Sequence, residues 1–162
     1  MSINDFVNKE LVLFSRQACV RSIPSMIDGL KPSQRKVLYG CLRRNLTKEI
    51  KVVQLSGYIS ETVLYHHGEQ SLNQTIVSMA QDFVGANNLN FLVPNGQFGT
   101  RIMGGRDSAS PRYIYTYLQP ITKFVFREED DALLPRQEEE GGQIEPKHFL
   151  PILPTVLVNG AT

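Results

Sequence analysis

The chain has 162 residues, 41% of them hydrophobic and 20% charged, which is ordinary for a folded protein and excludes a disordered or fibrous chain. No apolar run approaches the roughly 20 residues needed to span a bilayer, so we expect no membrane segment. The N-terminus carries acids where a signal peptide carries basic residues. Cys19 and Cys41 are too few for a disulfide scaffold or a zinc site, so we expect free thiols.

The net charge of +1 conceals an uneven distribution of charge along the chain. Residues 16–51 contain nine basic and two acidic residues, whereas residues 127–145 contain two basic and eight acidic ones. A basic segment of this kind would attract a polyphosphate backbone. A solvated helix surface has the same composition, so charge alone leaves both interpretations open.

Helical spacing of apolar residues dominates the first half of the chain. It predicts a helix over residues 3–15, an interruption at Pro24, and a strong helix opened by Ser33 with Arg35 and Lys36 outside its apolar stripe. Two more helices are predicted, and they lie at residues 52–62 and from Glu69 to Gly85.

The second half is rich in glycine, β-branched and aromatic residues. Strands are predicted at residues 114–117 and 122–126, and an edge or kinked strand at 149–158. Residues 127–142 are predicted to form an acidic, irregular connection. Helices followed by a glycine-rich hairpin are the order of a winged-helix domain, an α+β fold in which a helix-turn-helix carries a β wing.

Two segments carry residue types suited to phosphate chemistry. His66 and His67 precede the helix predicted from Glu69, and the free amides and dipole at a helix N-terminus attract anions. A capping or core role is the alternative. In residues 104–113, glycines allow close approach to a backbone, and Arg112 sets a guanidinium beside Tyr113. Cations would favour the phenolate of a nucleophilic tyrosine. A hairpin tyrosine that packs its ring is the alternative.

Four strings make a family resemblance visible. They are SIPSMIDGLKPSQRKVL at residues 22–38, YHHGEQSL at 65–72, PNGQFGTR at 94–101 and DSASPRYIYT at 107–116. In this order they resemble the breakage-reunion core of type IIA DNA topoisomerases of the eukaryotic kind, from about Asn4 to the last residue.

The resemblance implies a role for individual residues. Tyr113 would attack a DNA phosphodiester and become linked to the 5′ phosphate, and Arg112 would steady the scissile phosphate in the transition state. The remaining residues that would contact the DNA backbone are Lys31, Arg35, Lys36, His67 and Arg101. The resemblance also implies three domains or parts of domains. They are an N-terminal helical segment at 1–30, a CAP-like winged-helix domain at 31–118 and the beginning of an α/β tower domain at 119–162.

The resemblance further implies partners and cofactors. The partner would be double-stranded DNA, the whole enzyme would be a homodimer in the nucleus, and ATP and Mg²⁺ would be bound by domains other than this one. No metal site is expected in this chain, and alone it is expected to be inactive. The main alternative function is a non-catalytic winged-helix DNA-binding module, and an interaction fragment that joins an intact partner is another.

Overall fold

The computed structural model describes residues 2–63, 68–139 and 141–161. The described residues form an α+β, winged-helix-like arrangement, which confirms the predicted fold class. The N-terminal helical segment comprises α1 (Ile3–Asp5), a π-helical stretch (Phe6–Leu11) and α2 (Val12–Ser22). The elements that follow it are α3 (Pro32–Arg43), β1 (Ile50–Lys51), α4 (Val52–Thr62), α5 (Glu69–Ala80), β2 (Tyr115–Thr116), α6 (Pro120–Val125), a 3₁₀ helix (Glu128–Leu133), β3 (Arg136–Glu139), β4 (Gly142–Pro146) and α7 (Thr155–Asn159).

The core lies where α3, α4 and α5 pack against one another. The apolar stripes of these helices are fully buried, and their central members are Val37, Leu38, Leu55, Ile59, Leu72 and Ile76. Gly40 lets α3 approach α4 closely, because a Cβ atom there would lie 2.8 Å from Cγ1 of Ile59. Close contact between the helices excludes water from their apolar stripes, and this burial stabilises the fold.

A small antiparallel sheet forms the wing. Ile50 pairs with Thr116 and Lys51 with Tyr115 in β1 and β2. On the other side of β2, isolated bridges join Leu92 to Leu118 and Asn95 to Tyr115. The strand predicted at residues 114–117 is therefore confirmed at its centre.

The other two predicted strands are wrong. Residues 122–126 belong mostly to α6, which begins with Pro120 at its first helical position, where proline is favoured. The Thr122 hydroxyl donates to the Phe91 carbonyl at 2.8 Å, so the buried side of α6 is set by a tertiary contact. In residues 149–158 the prolines precede a helix, α7, rather than kink a strand.

The acidic segment from 127 to 142 is also more ordered than predicted. It contains the 3₁₀ helix and strand β3, which pairs with β4 in an antiparallel hairpin with Arg136 opposite Pro146. In β4, Ile144 and Glu145 are buried, and Glu145 pairs with Lys36 on α3, which charge counting along the chain does not reveal.

The N-terminal helical segment is longer than the predicted 3–15 and ends at Ser22, before Pro24. Its apolar residues are exposed. The examples are Ile3, Phe6, Val7, Leu11 and Phe14. The helical spacing is thus confirmed, whereas burial of this stripe does not occur within the described residues.

Three aromatic rings join the winged-helix part to the later chain. Phe91 contacts Phe126 edge to face at a centroid distance of 5.1 Å, and Phe126 contacts Phe149 in the same manner at 5.5 Å. The buried cluster therefore runs from Leu30 to Phe149. The proposed boundaries at 30/31 and 118/119 stay predictions.

Both cysteines are free, as predicted. Cys19 is exposed, whereas burial raises the pKa of the Cys41 thiol to about 12 and keeps that thiol protonated near neutral pH. Among the described helices, none is long and apolar enough to cross a bilayer.

Candidate nucleic-acid interface

The turn that carries Arg112 and Tyr113 is fastened to the N-terminus of α4. The first amides of that helix lack intrahelical acceptors. The Val52 amide donates to the Ile114 carbonyl at 3.1 Å, and the Val53 amide donates to the Pro111 carbonyl at 3.2 Å. The turn is therefore held on both sides of Tyr113 by a helix of the core.

This anchoring turns two side chains outward. Ile114 is buried at 1% exposure, while Tyr113 is 73% exposed and Arg112 is exposed beside it. Within the described residues, neither the Tyr113 hydroxyl nor the Arg112 guanidinium has a hydrogen-bond or ion-pair partner. Both groups are consequently free to contact a phosphate that approaches the surface.

The glycine-rich loop before this turn is tied to the core at its base. The buried Gln81 side-chain amide donates to the carbonyls of Phe98 (2.8 Å) and Gly105 (3.2 Å). Gly99 and Gly105 have φ of 99° and 78°, and a Cβ atom on Gly99 would lie 2.6 Å from Cα of Gly105. Only glycine fits at Gly99, where the two arms of the loop touch, so the loop is closed at its base.

A carboxylate closes the same loop from within. Asp107 accepts from both the amide and the hydroxyl of Thr100, each at 2.8 Å. These hydrogen bonds, the amide's first, lower the pKa of the Asp107 carboxyl below its ordinary value of 3.8. The one acid of the loop is thereby paired internally, and Arg101, which the resemblance assigns to DNA, stands exposed at the loop's outer end.

Lys31 borders an open polar groove between two helices. It occupies the N-cap position of α3, with its amide donating to the Gln34 side chain at 2.9 Å. The groove measures about 560 Å³ and lies between the N-terminal end of α3 and α5. Its other lining residues are Ser33, Gln34, Gln70, Ser71, Gln74, Thr75 and Ser78. A polar, half-open groove beside a lysine is compatible with the backbone contact predicted for Lys31, which stays a prediction.

Arg35 does not lie on this surface, contrary to the sequence analysis. It is 5% exposed, and its guanidinium forms two hydrogen bonds with the fully buried Asp28 carboxylate at 2.7 and 2.9 Å and a third with the Leu30 carbonyl at 3.0 Å. The charge and the donors of Arg35 are thus used in the interior. Arg35 is therefore not available for the direct DNA contact predicted from the sequence.

Lys36 is also engaged within the protein. Its ammonium group lies 2.9 Å from the buried Glu145 carboxylate and donates to the Val63 carbonyl at 3.2 Å. Glu145 in turn accepts from Gln137 at 3.1 Å. Lys36 therefore joins α3, the end of α4 and the β3–β4 hairpin, and is not a free cation on the surface.

His66 and His67 lie outside the described residues, so the contact predicted for His67 stays a prediction. The last described residue before them is Val63, whose carbonyl Lys36 holds.

Sequence reasoning missed the residues that support the site. Asp28 accepts from the amides of Leu30 and Phe149 as well as from Arg35, and it thereby ties the loop before α3 to the later chain. A lone aspartate before a glycine resembles an ordinary turn. Nothing local signals that Asp28 is buried, and the same holds for Gln81.

Comparisons with known proteins agree with this arrangement. The family described as that of the DNA gyrase/topoisomerase IV A subunit matches residues 21–162. This chain belongs to the type IIA topoisomerase family. It is 60% identical over 157 residues to DNA topoisomerase 2, mitochondrial, of Dictyostelium discoideum and 57% identical over 159 residues to DNA topoisomerase 2 of Saccharomyces cerevisiae. These alignments cover 97% and 98% of this chain but only 12% and 11% of the relatives.

A solved type IIA topoisomerase structure has the same fold. It is the DNA-binding, cleavage and re-ligation domain of Plasmodium falciparum topoisomerase II, with a TM-score of 0.90 and 57% sequence identity. The match covers 98% of this chain and 22% of that one. The predicted family resemblance is confirmed by these findings.

Proposed function

We propose that this chain binds duplex DNA and supplies the tyrosine nucleophile of a type II topoisomerase. The observation that carries the proposal is the exposed Tyr113 next to Arg112, on a turn that two helix amides hold in place. The family membership agrees with it, since the Plasmodium relative is named for DNA binding, cleavage and re-ligation.

In the proposed reaction, the Tyr113 oxygen attacks a backbone phosphorus. The phenol releases its proton to solvent as the new O–P bond forms, and the P–O bond to the 3′ oxygen breaks. The 3′ oxygen takes up one proton from solvent and leaves as a 3′ hydroxyl, while the 5′ phosphate stays on the tyrosine. The phosphodiester is exchanged for a phosphotyrosine ester rather than hydrolysed, so the 3′ hydroxyl can reverse the step and reseal the strand.

Arg112 would stabilise the negative charge that builds on the phosphate oxygens. A guanidinium matches a phosphate with two parallel hydrogen bonds. Because the turn is fixed before DNA arrives, little reorganisation is needed when the charge develops.

The described residues do not fit a magnesium site. They contain no group of three histidine, cysteine, aspartate or glutamate side chains that could hold a metal. In the acidic 3₁₀ helix, Glu129 lies 3.5 Å from Arg127, and Asp131 pairs with Arg136. No step of the proposed reaction is therefore assigned to a metal held by these residues. We retain as proposals that the whole enzyme binds Mg²⁺ and ATP in other domains, and that it is a nuclear homodimer acting on double-stranded DNA.

The test is a chimera in which this chain replaces the matching segment of the yeast relative. We expect relaxation of supercoiled DNA and, after denaturation, protein covalently attached to DNA. Tyr113→Phe should abolish the adduct while leaving salt-dependent duplex binding intact. An adduct formed by Tyr113→Phe would remove Tyr113 from the nucleophile role, and duplex binding without any adduct would favour a non-catalytic DNA-binding module.

A further inference from the structure

The buried side chain of Gln81 holds the main chain that lies behind the Tyr113 turn. Gln81 is 8% exposed and lies at the C-cap of α5. Its side-chain amide donates to the Phe98 carbonyl at 2.8 Å and to the Gly105 carbonyl at 3.2 Å. Burial of an amide costs free energy unless the amide is hydrogen-bonded. Gln81 meets this cost by fixing the position of two carbonyls, which an apolar side chain of the same size could not do.

The main chain of Gln81 is itself held at both of its polar groups. Its amide donates to the Val77 carbonyl at 3.1 Å, and its carbonyl accepts from the Asn87 side chain at 2.8 Å. The Asn87 side chain also donates to the Ser78 carbonyl at 2.8 Å. Ser78 lines the polar groove beside α5. Gln81 therefore connects the helix that borders this groove to the loop that precedes the Tyr113 turn.

A short arm of main chain, residues 95–98, pairs with the chain on both sides of the Tyr113 turn. After the turn, Tyr115 exchanges two main-chain hydrogen bonds with the first residue of the arm, at 2.9 and 3.0 Å. Before the turn, the Ala109 amide donates to the carbonyl of the third residue of the arm at 2.9 Å. The carbonyl of the last residue of the arm accepts from the Gln81 side chain. The arm therefore supports the turn from behind, and Gln81 holds the arm.

We propose that Gln81 is a positioning residue for the attack by Tyr113. Gln81 keeps the arm in place, and the arm sets the position of Arg112 and Tyr113 relative to a phosphate bound at this surface. A displacement of about 1 Å can lower a rate about 10²-fold, because the reacting atoms must be closely aligned. The amides of α4 still hold the turn when Gln81 is replaced, so we expect a smaller loss of rate, of about tenfold. This inference rests on the proposed function, since it requires that Tyr113 be the nucleophile.

The experiment compares Gln81→Met with the wild-type sequence in the yeast chimera. Methionine is an unbranched, flexible side chain without an amide, so it can fill the site but leaves the two carbonyls without their donor. In single-turnover reactions, the rate of adduct formation at saturating duplex should fall about tenfold, while the duplex concentration that gives half of the maximal rate should change less than about twofold. Weaker DNA binding would have the opposite signature, with a higher half-maximal concentration and an unchanged rate at saturation.

A second variant displaces the same amide from the side of the loop. A Cβ atom on Gly105 would lie 2.3 Å from Nε2 of Gln81, so Gly105→Ala should give a similar loss of rate at saturating duplex. When both substitutions are combined, the loss should be about that of one alone, because both break the same contact. Gly105→Ala decides the question if Gln81→Met does not fold.

The matched control is Thr155→Val, which removes another buried donor to a main-chain carbonyl, the hydrogen bond from the Thr155 hydroxyl to the Asp28 carbonyl at 2.7 Å. It should keep the wild-type rate at saturating duplex. An unchanged rate at saturation in both Gln81→Met and Gly105→Ala would overturn the positioning role, and so would an equal loss of rate in Thr155→Val. Absence of any adduct from the wild-type chimera would instead refute the proposed function itself.

Discussion

Two arginines of this chain have opposite roles that their side chains alone do not distinguish. Arg35 is buried against Asp28, whereas Arg112 is exposed without a partner among the described residues. A buried ion pair contributes little beyond a good apolar packing, but removal of one member leaves the other charge unpaired in the interior. Substitution of Arg35 is therefore expected to lower the stability of the fold, whereas substitution of Arg112 is expected to lower the rate of the reaction with DNA.

For Arg35→Ala we expect the free energy of unfolding to fall by about 3–5 kcal/mol, because the Asp28 carboxylate is left buried and unpaired. Urea denaturation of the chain measures this loss. Arg112→Ala is the control, and it should leave stability unchanged while reducing the rate of adduct formation in the chimera by about 10²–10³. A stable Arg35→Ala protein would contradict the structural role of Arg35.

The Asp107 carboxyl predicts how the glycine-rich loop responds to acid. Its pKa is lowered in the folded chain by the Thr100 amide and hydroxyl. The ionised form therefore stabilises the loop above the ordinary pKa of 3.8, and this contribution is lost as the pH falls through the lower folded value. The Thr100 amide resonance in NMR should titrate with a midpoint below 3.8, and Asp107→Asn should remove that titration. A midpoint above 3.8 would contradict the assignment.

At the scale of the elements, the distance from α3 to α4 is set by Gly40, which has no side chain. The contact of Gly40 with Ile59 places α3 near enough to α4 for Arg44 to stack on Tyr58, with its guanidinium carbon 4.7 Å from the ring centre. The N-terminus of α4 in turn holds the Tyr113 turn. Helix spacing in the core thus determines where the candidate nucleophile stands.

We expect Gly40→Ala to destabilise the chain by about 1–3 kcal/mol through overpacking against Ile59. Gly57→Ala is the matched control on α4, because a Cβ atom there meets nothing within 4 Å. That substitution should stabilise the chain by roughly 0.5–1 kcal/mol, since alanine favours a helix over glycine. Thermal or urea unfolding of both variants checks the pair. Equal effects of the two would show that helix propensity, not packing, governs this contact.

At the scale of the whole molecule, an ion pair joins the helical core to the β3–β4 hairpin. Lys36 on α3 and Glu145 on β4 are 109 positions apart in sequence and in direct contact. This pair fixes the hairpin to α3, while the aromatic contacts of Phe126 join the winged-helix part to Phe149, which follows the hairpin. The acidic segment is consequently part of the folded unit and not a free tail.

A double-mutant cycle should measure this connection. Lys36→Met alone is expected to cost about 3 kcal/mol, because the Glu145 carboxylate stays buried without a cation beside it. The Lys36→Met/Glu145→Gln protein should recover part of that loss, with a coupling energy of about 1 kcal/mol or more in urea denaturation. Duplex affinity of the double variant should keep its wild-type salt dependence, since the Lys36 charge is used internally. Additive effects of the two substitutions would show that the pair is not coupled.

The sequence by itself predicted the three core helices, the central strand of the wing and the family. Apolar residues at helical spacing need only their neighbours on the same helix to be recognised, and the motif around Arg112 and Tyr113 is contained within about ten residues. Only the tertiary structure decided where Arg35 and Lys36 direct their charges, and that residues 120–125 are helical. The partners of these side chains are remote in sequence. The ion pairs that a charged residue forms, and the secondary structure that a run of β-branched residues adopts, depend on those remote contacts.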